Sequence, residues 1–158
     1  MARFQELNDN MMKIIWKLLS SQDLCKLIYY SSDNPLGEVD ISDTRSLLFN
    51  EIYPIPKIPD SESKASSLLT LVFDDMRLTN VAIKNSIISI NVMCHIDLWR
   101  LSGQSALRPF LIMNQIDEML NNERVVGLGK MVFDKSRFIF IDKFYSGYRM
   151  DYKIVDFN

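Results

Sequence analysis

The sequence predicts an α+β fold: an antiparallel, mixed-edge sheet of about four strands with helices packed on one face, in the order α(α)-β-β-α-β-β. Three observations predict it. Apolar residues recur at helical spacing near residues 8–30 and 107–121, they alternate with period two in four other stretches, and clusters of Ser, Gly, Asn and Pro fall between. With 158 residues, the chain reads as a single domain, 1–158, able to bury about 70% of the surface it exposes when unfolded.

From Asn8 the stripe Met11, Met12, Ile15, Trp16 and Leu19 predicts a helix capped by Asn8 or Asp9. Ser20 or Ser21 followed by Asp23 is a second cap, and Leu24, Leu27 and Ile28 continue a stripe to Tyr29-Tyr30. Two helices, or one bent helix, therefore fill residues 8–30. SSDNPLGEVDISD is loop chemistry, and TRSLLFNEIY then allows about two helical turns behind Ser42 or Asp43. Pro54, Pro56 and Pro59 fix φ and remove donors, so residues 52–60 form an extended strap kept out of central pairing.

SSLLTLVFDDMRL predicts a strand near 67–77, with NVAIKN as the turn after it. In SIISINVMCHIDLW, Ile88, Ile90, Val92, Cys94, Ile96 and Leu98 share one face, while Ser89, Asn91, Met93, His95, Asp97 and Trp99 share the other. A turn through LSGQSALRP leads to a helix with Pro109 in its first turn, the stripe Phe110, Met113, Ile116, Asp117 and Leu120, and a C-cap at Asn121-Asn122. Two further strands follow, on the alternations Met131/Phe133, Phe138/Phe140 and Tyr148/Met150/Tyr152/Ile154, with the bend at Ser146-Gly147.

Charge and composition narrow the function. Eighteen Lys and Arg against 20 Asp and Glu leave a net charge of −2 with no concentrated basic face, which disfavours direct nucleic-acid binding. No apolar run is long enough to cross a bilayer and MARFQELNDN lacks the apolar core of a secretory signal, so the expectation is a protein that stays in a cytosol, without membrane contact. Cys25 and Cys94 lack metal or redox spacing and read as buried thiols.

Catalytic constellations are incomplete throughout. His95 and Asp97, two apart on a strand, make an acid-base pair conceivable, yet no nucleophile elbow accompanies them, and one His with two Cys is too few for zinc. GLGK at 127–130 lacks the spacing and hydroxyl of a phosphate loop and reads as a turn. Asp40, Ser42, Thr44 and Glu51 fall at calcium-loop positions, but Arg45 stands where that loop needs Gly. Asp74-Asp75 point to opposite sides of a strand and cannot converge on a metal. Tyr145, Tyr148, Tyr152 and Phe157 read as core and interface aromatics. The expectation is a non-enzyme with no cofactor and no metal.

The element order, together with DLCKLIYY at 23–30, IYPIPKIPD at 52–60, CHIDLWRL at 94–101, LRPFLIMNQIDEMLN at 107–121 and the closing GYRMDYKIVDFN, resembles the tail terminator and tail completion (neck) proteins of long-tailed bacteriophages, closest to those of phages of Gram-positive hosts. The resemblance covers most of the chain. It implies a structural virion protein, assembled in the host cytoplasm, that forms a homo-oligomeric ring, commonly a hexamer. Such a ring caps the tail tube protein, meets the head connector, and lets DNA through its lumen without specific binding. Strand edges and the strap then supply the subunit or partner contacts, with Tyr53, Pro54, Pro56, Asp74, Asp75, Trp99, Arg100 and Tyr145 as candidates. Three alternatives stand beside it: another head-tail connector or neck adaptor, a monomeric adaptor that clamps a peptide along a sheet edge, and a small enzyme using His95 and Asp97.

Overall fold

Two helices open the chain, α1 (Arg3–Leu19) and α2 (Gln22–Tyr29), in a computed structural model that describes residues 3–78, 83–102, 106–126 and 129–155. Ser21 divides them: its hydroxyl accepts from the Leu24 N–H at 3.1 Å, the cap expected from Ser followed by Asp. Asn8 and Asp9, expected to cap α1, lie within it. Gln5 donates to Asp9 at 3.0 Å, a bond between successive turns, and the helix starts upstream. The buried stripe is Leu7, Met11, Ile14, Ile15 and Leu18; Trp16 is turned to the surface beneath the Arg45 guanidinium, 4.8 Å from its ring.

The two helical turns expected over TRSLLFNEIY shrink to one 3₁₀ turn, Thr44–Leu47, capped by Asp43. Leu48 is already extended and Phe49 takes φ 64, a left-handed conformation that ends any helix. β1 (Ile52–Tyr53) then runs parallel beside β2 (Ser67–Leu78). β3 (Ile83–His95), α3 (Arg108–Leu120), β4 (Glu123–Val126), β5 (Gly129–Phe140) and β6 (Tyr145–Val155) follow. They form one six-stranded sheet in the order β1-β2-β3-β6-β5-β4, antiparallel except at β1–β2. Of the expected four strands all are present. The two extra ones, of two and four residues, are too short to carry an alternation.

Three boundaries differ from expectation, each for a local reason. β3 ends at His95, because the His95 Nδ1 accepts from the Asp97 N–H at 3.1 Å and caps a 3₁₀ turn, Ile96–Leu98; Ile96 is therefore 53% exposed rather than inside. The reversal between β5 and β6 lies at 141–144, where one Asp142 carboxylate oxygen accepts from the Phe144 and Tyr145 N–H groups at 2.8 and 2.9 Å. Ser146 and Gly147 are inside β6, and Gly147 is required there because a Cβ would stand 1.7 Å from the Val92 carbonyl oxygen. Parts of the expected turns, residues 79–82, 103–105 and 127–128, lie outside the described residues, as does Phe157; Gly129 and Lys130 already belong to β5.

The main core lies between the helices and one face of the sheet, and a small second cluster, Leu68, Met93 and Tyr145, lies on the other face. Leu69 and Leu71 of β2, Ile88, Ile90, Val92 and Cys94 of β3, and Met150, Tyr152 and Ile154 of β6 meet Ile14, Leu18, Leu24, Leu27, Ile112, Ile116 and Leu120. Each fully buried Leu or Ile contributes about 1.5–3 kcal/mol by leaving water. In β5 the register slips between Phe133 and Lys135, so Met131 and Phe133 share a side with Ser136, Phe138 and Phe140 although their numbers change parity. No helix among the described residues is long and apolar enough to cross a membrane.

Candidate functional site

The helices cover only one face, and the opposite face is organised by rows of paired residues. Leu68, Met93, Gly147 and Ile139 form one row; Thr70, Asn91, Arg149 and Arg137 the next; Val72, Ser89, Asp151 and Lys135 the third. The central rows are polar and bonded. Asn91 donates to the Thr70 hydroxyl at 3.1 Å, Ser89 to Asp151 at 2.7 Å, and Arg149 to Asp151 at 2.8 Å and to Asp74 at 2.6 Å. These bonds, that to buried Asp151 foremost, push the Arg149 pKa above its ordinary value. Arg137, directly opposite Arg149, has no carboxylate partner among the described residues. The strap at Pro56–Ile58 and the end of β5 wall these rows into a groove of about 440 Å³.

On the helix side, β5 and β6 run past the helices and leave aromatic rings uncovered. Tyr148 is packed by Phe110 at 5.1 Å, Phe138 at 5.8 Å and Trp99 at 6.3 Å, and Phe138 lies 6.4 Å from Phe140. Phe110, Phe138 and Phe140 are 46%, 54% and 69% exposed. These exposed rings are grouped rather than scattered singly.

Both sheet edges are left partly open. β1 pairs only with Leu69 and Thr70, so among the described residues nothing meets the outer edge of β2 from Leu71 to Leu78. β4 reaches only to Met131, and Asn121 takes the Phe133 N–H at 2.9 Å; from Asp134 to Phe140 nothing among the described residues pairs with the outer edge of β5. Unpaired strand edges are templates for another strand.

Of the residues predicted for contacts, Asp74 and Asp75 are exposed on the open part of β2, Pro56 lines the groove, and Arg100 is exposed. Tyr53 and Pro54 are half-buried; the Tyr53 hydroxyl donates to the Asn50 carbonyl at 2.8 Å. Trp99 is also half-buried, its Nε1 donating to the Cys94 carbonyl at 3.3 Å. Tyr145, at 1% exposure, is buried within the chain, its hydroxyl in contact with the Ser66 hydroxyl at 3.2 Å. His95 and Asp97 do not share a strand face. The imidazole Nδ1 lies 3.7 Å from the Asp97 carboxylate, the ring is stacked on Phe144 and edge-on to Tyr145, and Nδ1 is taken by the Asp97 backbone N–H.

Burial pushes the Cys25 and Cys94 thiols up to about 12, which leaves both protonated and unreactive. No group of three or more His, Cys, Asp or Glu converges among the described residues. Asp40 pairs with Lys26 at 2.7 Å and Asp43 caps a turn.

Sequence reasoning missed two features. Arg108 is wholly buried and donates to the carbonyls of Leu98, Tyr30 and Ser32 at 2.8, 2.9 and 2.6 Å and to that of Leu27, closing the C-terminal end of α2. An Arg ahead of a helix-starting Pro gives no sign of this. The exposed Phe110, Phe138 and Phe140 were also missed, although the change of parity between Met131/Phe133 and Phe138/Phe140 is the signal that could have found the bulge.

Neither a curated protein nor a solved structure matches the chain. A family model, YomW, matches residues 21–154, from the cap of α2 to the end of β6. The chain belongs to the YomW family, whose phage-derived, Bacillus prophage-type name suggests a phage origin.

Proposed function

We propose that the chain is a structural protein of the phage neck or tail end, a ring of several copies that caps the tail tube and joins it to the head connector. One observation carries the reading: a helix-backed sheet ends in two open edges of unlike make, on opposite sides. A chain with such edges can be completed by copies of itself without leaving either edge bare. The phage family and the resemblance to tail terminator and tail completion proteins support it. The exposed aromatic cluster beside the open edge of β5 adds apolar surface to a contact between copies. The helix-free face, with Arg137, Arg149 and Lys135 interleaved with Asp74 and Asp151, suits a lumen through which DNA slides without being gripped. The role is architectural, within the virion, and uses no cofactor.

The experiment is a phage carrying a stop codon in this gene. Filled heads without joined tails, restored by the wild-type chain supplied in trans, are the expected result; normal virions would overturn the proposal. His95→Asn restores joining as well as wild type does in this reading, because the imidazole is a turn cap. If that variant folds yet fails, the enzyme alternative gains.

A further inference from the structure

Which surfaces of two copies meet can be read from the edges themselves. The open part of β2 holds Leu71, Val72, Phe73, Asp74, Asp75 and Met76; that of β5 holds Asp134, Lys135, Ser136, Arg137, Phe138, Ile139 and Phe140. Within one chain β2 and β5 run in opposite directions, because β3 and β6 between them are each antiparallel to their neighbours. A second copy placed alongside in the same orientation therefore brings its β2 antiparallel to β5.

We infer that the open edge of β2 in one copy pairs with the open edge of β5 in the next, with Asp74 opposite Arg137, Phe73 opposite Phe138 and Leu71 opposite Phe140; this rests on the assembly reading above and names its contact.

Charge selects the partner edge. The exposed centre of one edge is Asp74-Asp75 and that of the other carries Lys135 and Arg137, so β2 against β2 or β5 against β5 opposes like charges, while β2 against β5 joins unlike ones. Asp74 already accepts from Arg149 through Oδ2; its Oδ1 makes no bond among the described residues, and Arg137 lacks a carboxylate. The faces agree as well. Phe73 and Leu71 share the helix side with Ile88 and Ile90, as Phe138 shares it with Tyr148, and Val72 and Ile139 fall opposite each other on the groove side. A slip of one residue would invert every side chain. A slip of two one way sets Phe140 against Leu69, whose outer edge β1 already occupies; the other way, it moves Arg137 off Asp74.

The register covers Phe138 and Phe140, the most exposed rings of the aromatic cluster. It also has the geometry of a closed sheet. Leu71 stands level with Ser136 inside one chain, through Ile90 and Met150, but opposite Phe140 across the contact. Each copy thus steps four residues, about 13 Å, over four strands roughly 19 Å wide, a strand tilt of about 35°, at the edge of the 35–45° range of closed sheets.

β2 bulges between Phe73 and Asp75, so the test uses the regular strand before the bulge: disulphide trapping of the Val72→Cys/Ile139→Cys double variant, since these positions face each other on the groove side in this register. Buried Cys25 and Cys94 stay silent. Mild oxidation is expected to yield a ladder of dimers, trimers and higher species linked between positions 72 and 139 by peptide mass spectrometry, with no ladder from either single variant. Arg137→Glu, at an exposed position facing Arg149, folds and weakens association at least tenfold.

Efficient dimers from a single variant would mean a two-fold contact and overturn the inference. So would the absence of a ladder. If light scattering then still finds an oligomer, only the contact is lost and the assembly reading survives; if it finds a monomer, the contact is lost and the phage complementation decides the reading.

Discussion

Arg108 carries its charge where water does not reach, and its guanidinium survives there because carbonyls of Leu27, Tyr30, Ser32 and Leu98 surround it. Burial lowers its pKa without discharging it. Arg108→Lys puts a point charge where a planar fork is needed and leaves carbonyls unpaired, so chemical denaturation is expected to show a loss of about 2–4 kcal/mol. Glu51 makes a prediction in pH. Burial raises its pKa above the ordinary 4.5. The fold thus favours the protonated acid, and that contribution is complete below the ordinary value and lost as pH rises through the raised one. Glu51→Gln has no such loss; the difference in Tm, variant minus wild type, should therefore grow between about pH 4 and pH 7. A gap that shrinks over that range would contradict the assignment.

Among the elements, β6 depends on Gly147 for its pairing with β3. An added methyl would sit 1.7 Å from the Val92 carbonyl oxygen, which is backbone and cannot swing away. Gly147→Ala is expected to cost about 3 kcal/mol or more, by forcing β3 and β6 apart near the start of β6, and a thermal melt reads this directly. The long elements were legible because their periods are long: thirteen residues of β3 and α3 each give several repeats of two or of 3.6. β1 and β4 show no period at two and four residues. Likewise Ser146-Gly147 has turn composition, yet close strand approach, not reversal, is what the glycine serves. The open edges were foreseeable only in kind. Which residues stay bare is decided by how far β1 and β4 reach, a matter of tertiary fit.

At the scale of the molecule, helices and sheet share one core, and Cys25 and Cys94 lie on its two sides, one in α2 and one in β3. Both thiols are buried and held near 12. Alkylation of the folded chain is expected to be slow and to proceed at the same rate at both sites, since each must await the same global opening. Markedly faster labelling of Cys25 would show that the helices detach before the sheet. Asp74 and Asp75 are exposed on the outer edge of β2, whereas Tyr145 is interior, because a tyrosine buried with its hydroxyl satisfied looks, in sequence, like an exposed one.

The inequality of the two bare borders has a directional consequence. A string joined acid border to basic border has every member pointing the same way, so it possesses a polarity. Bent into a circle, it presents on one rim the 141–144 reversal and the 96–98 turn, and on the other the ends of β2 and β4. Two chemically distinct rims allow one protein to greet two different neighbours without confusing them.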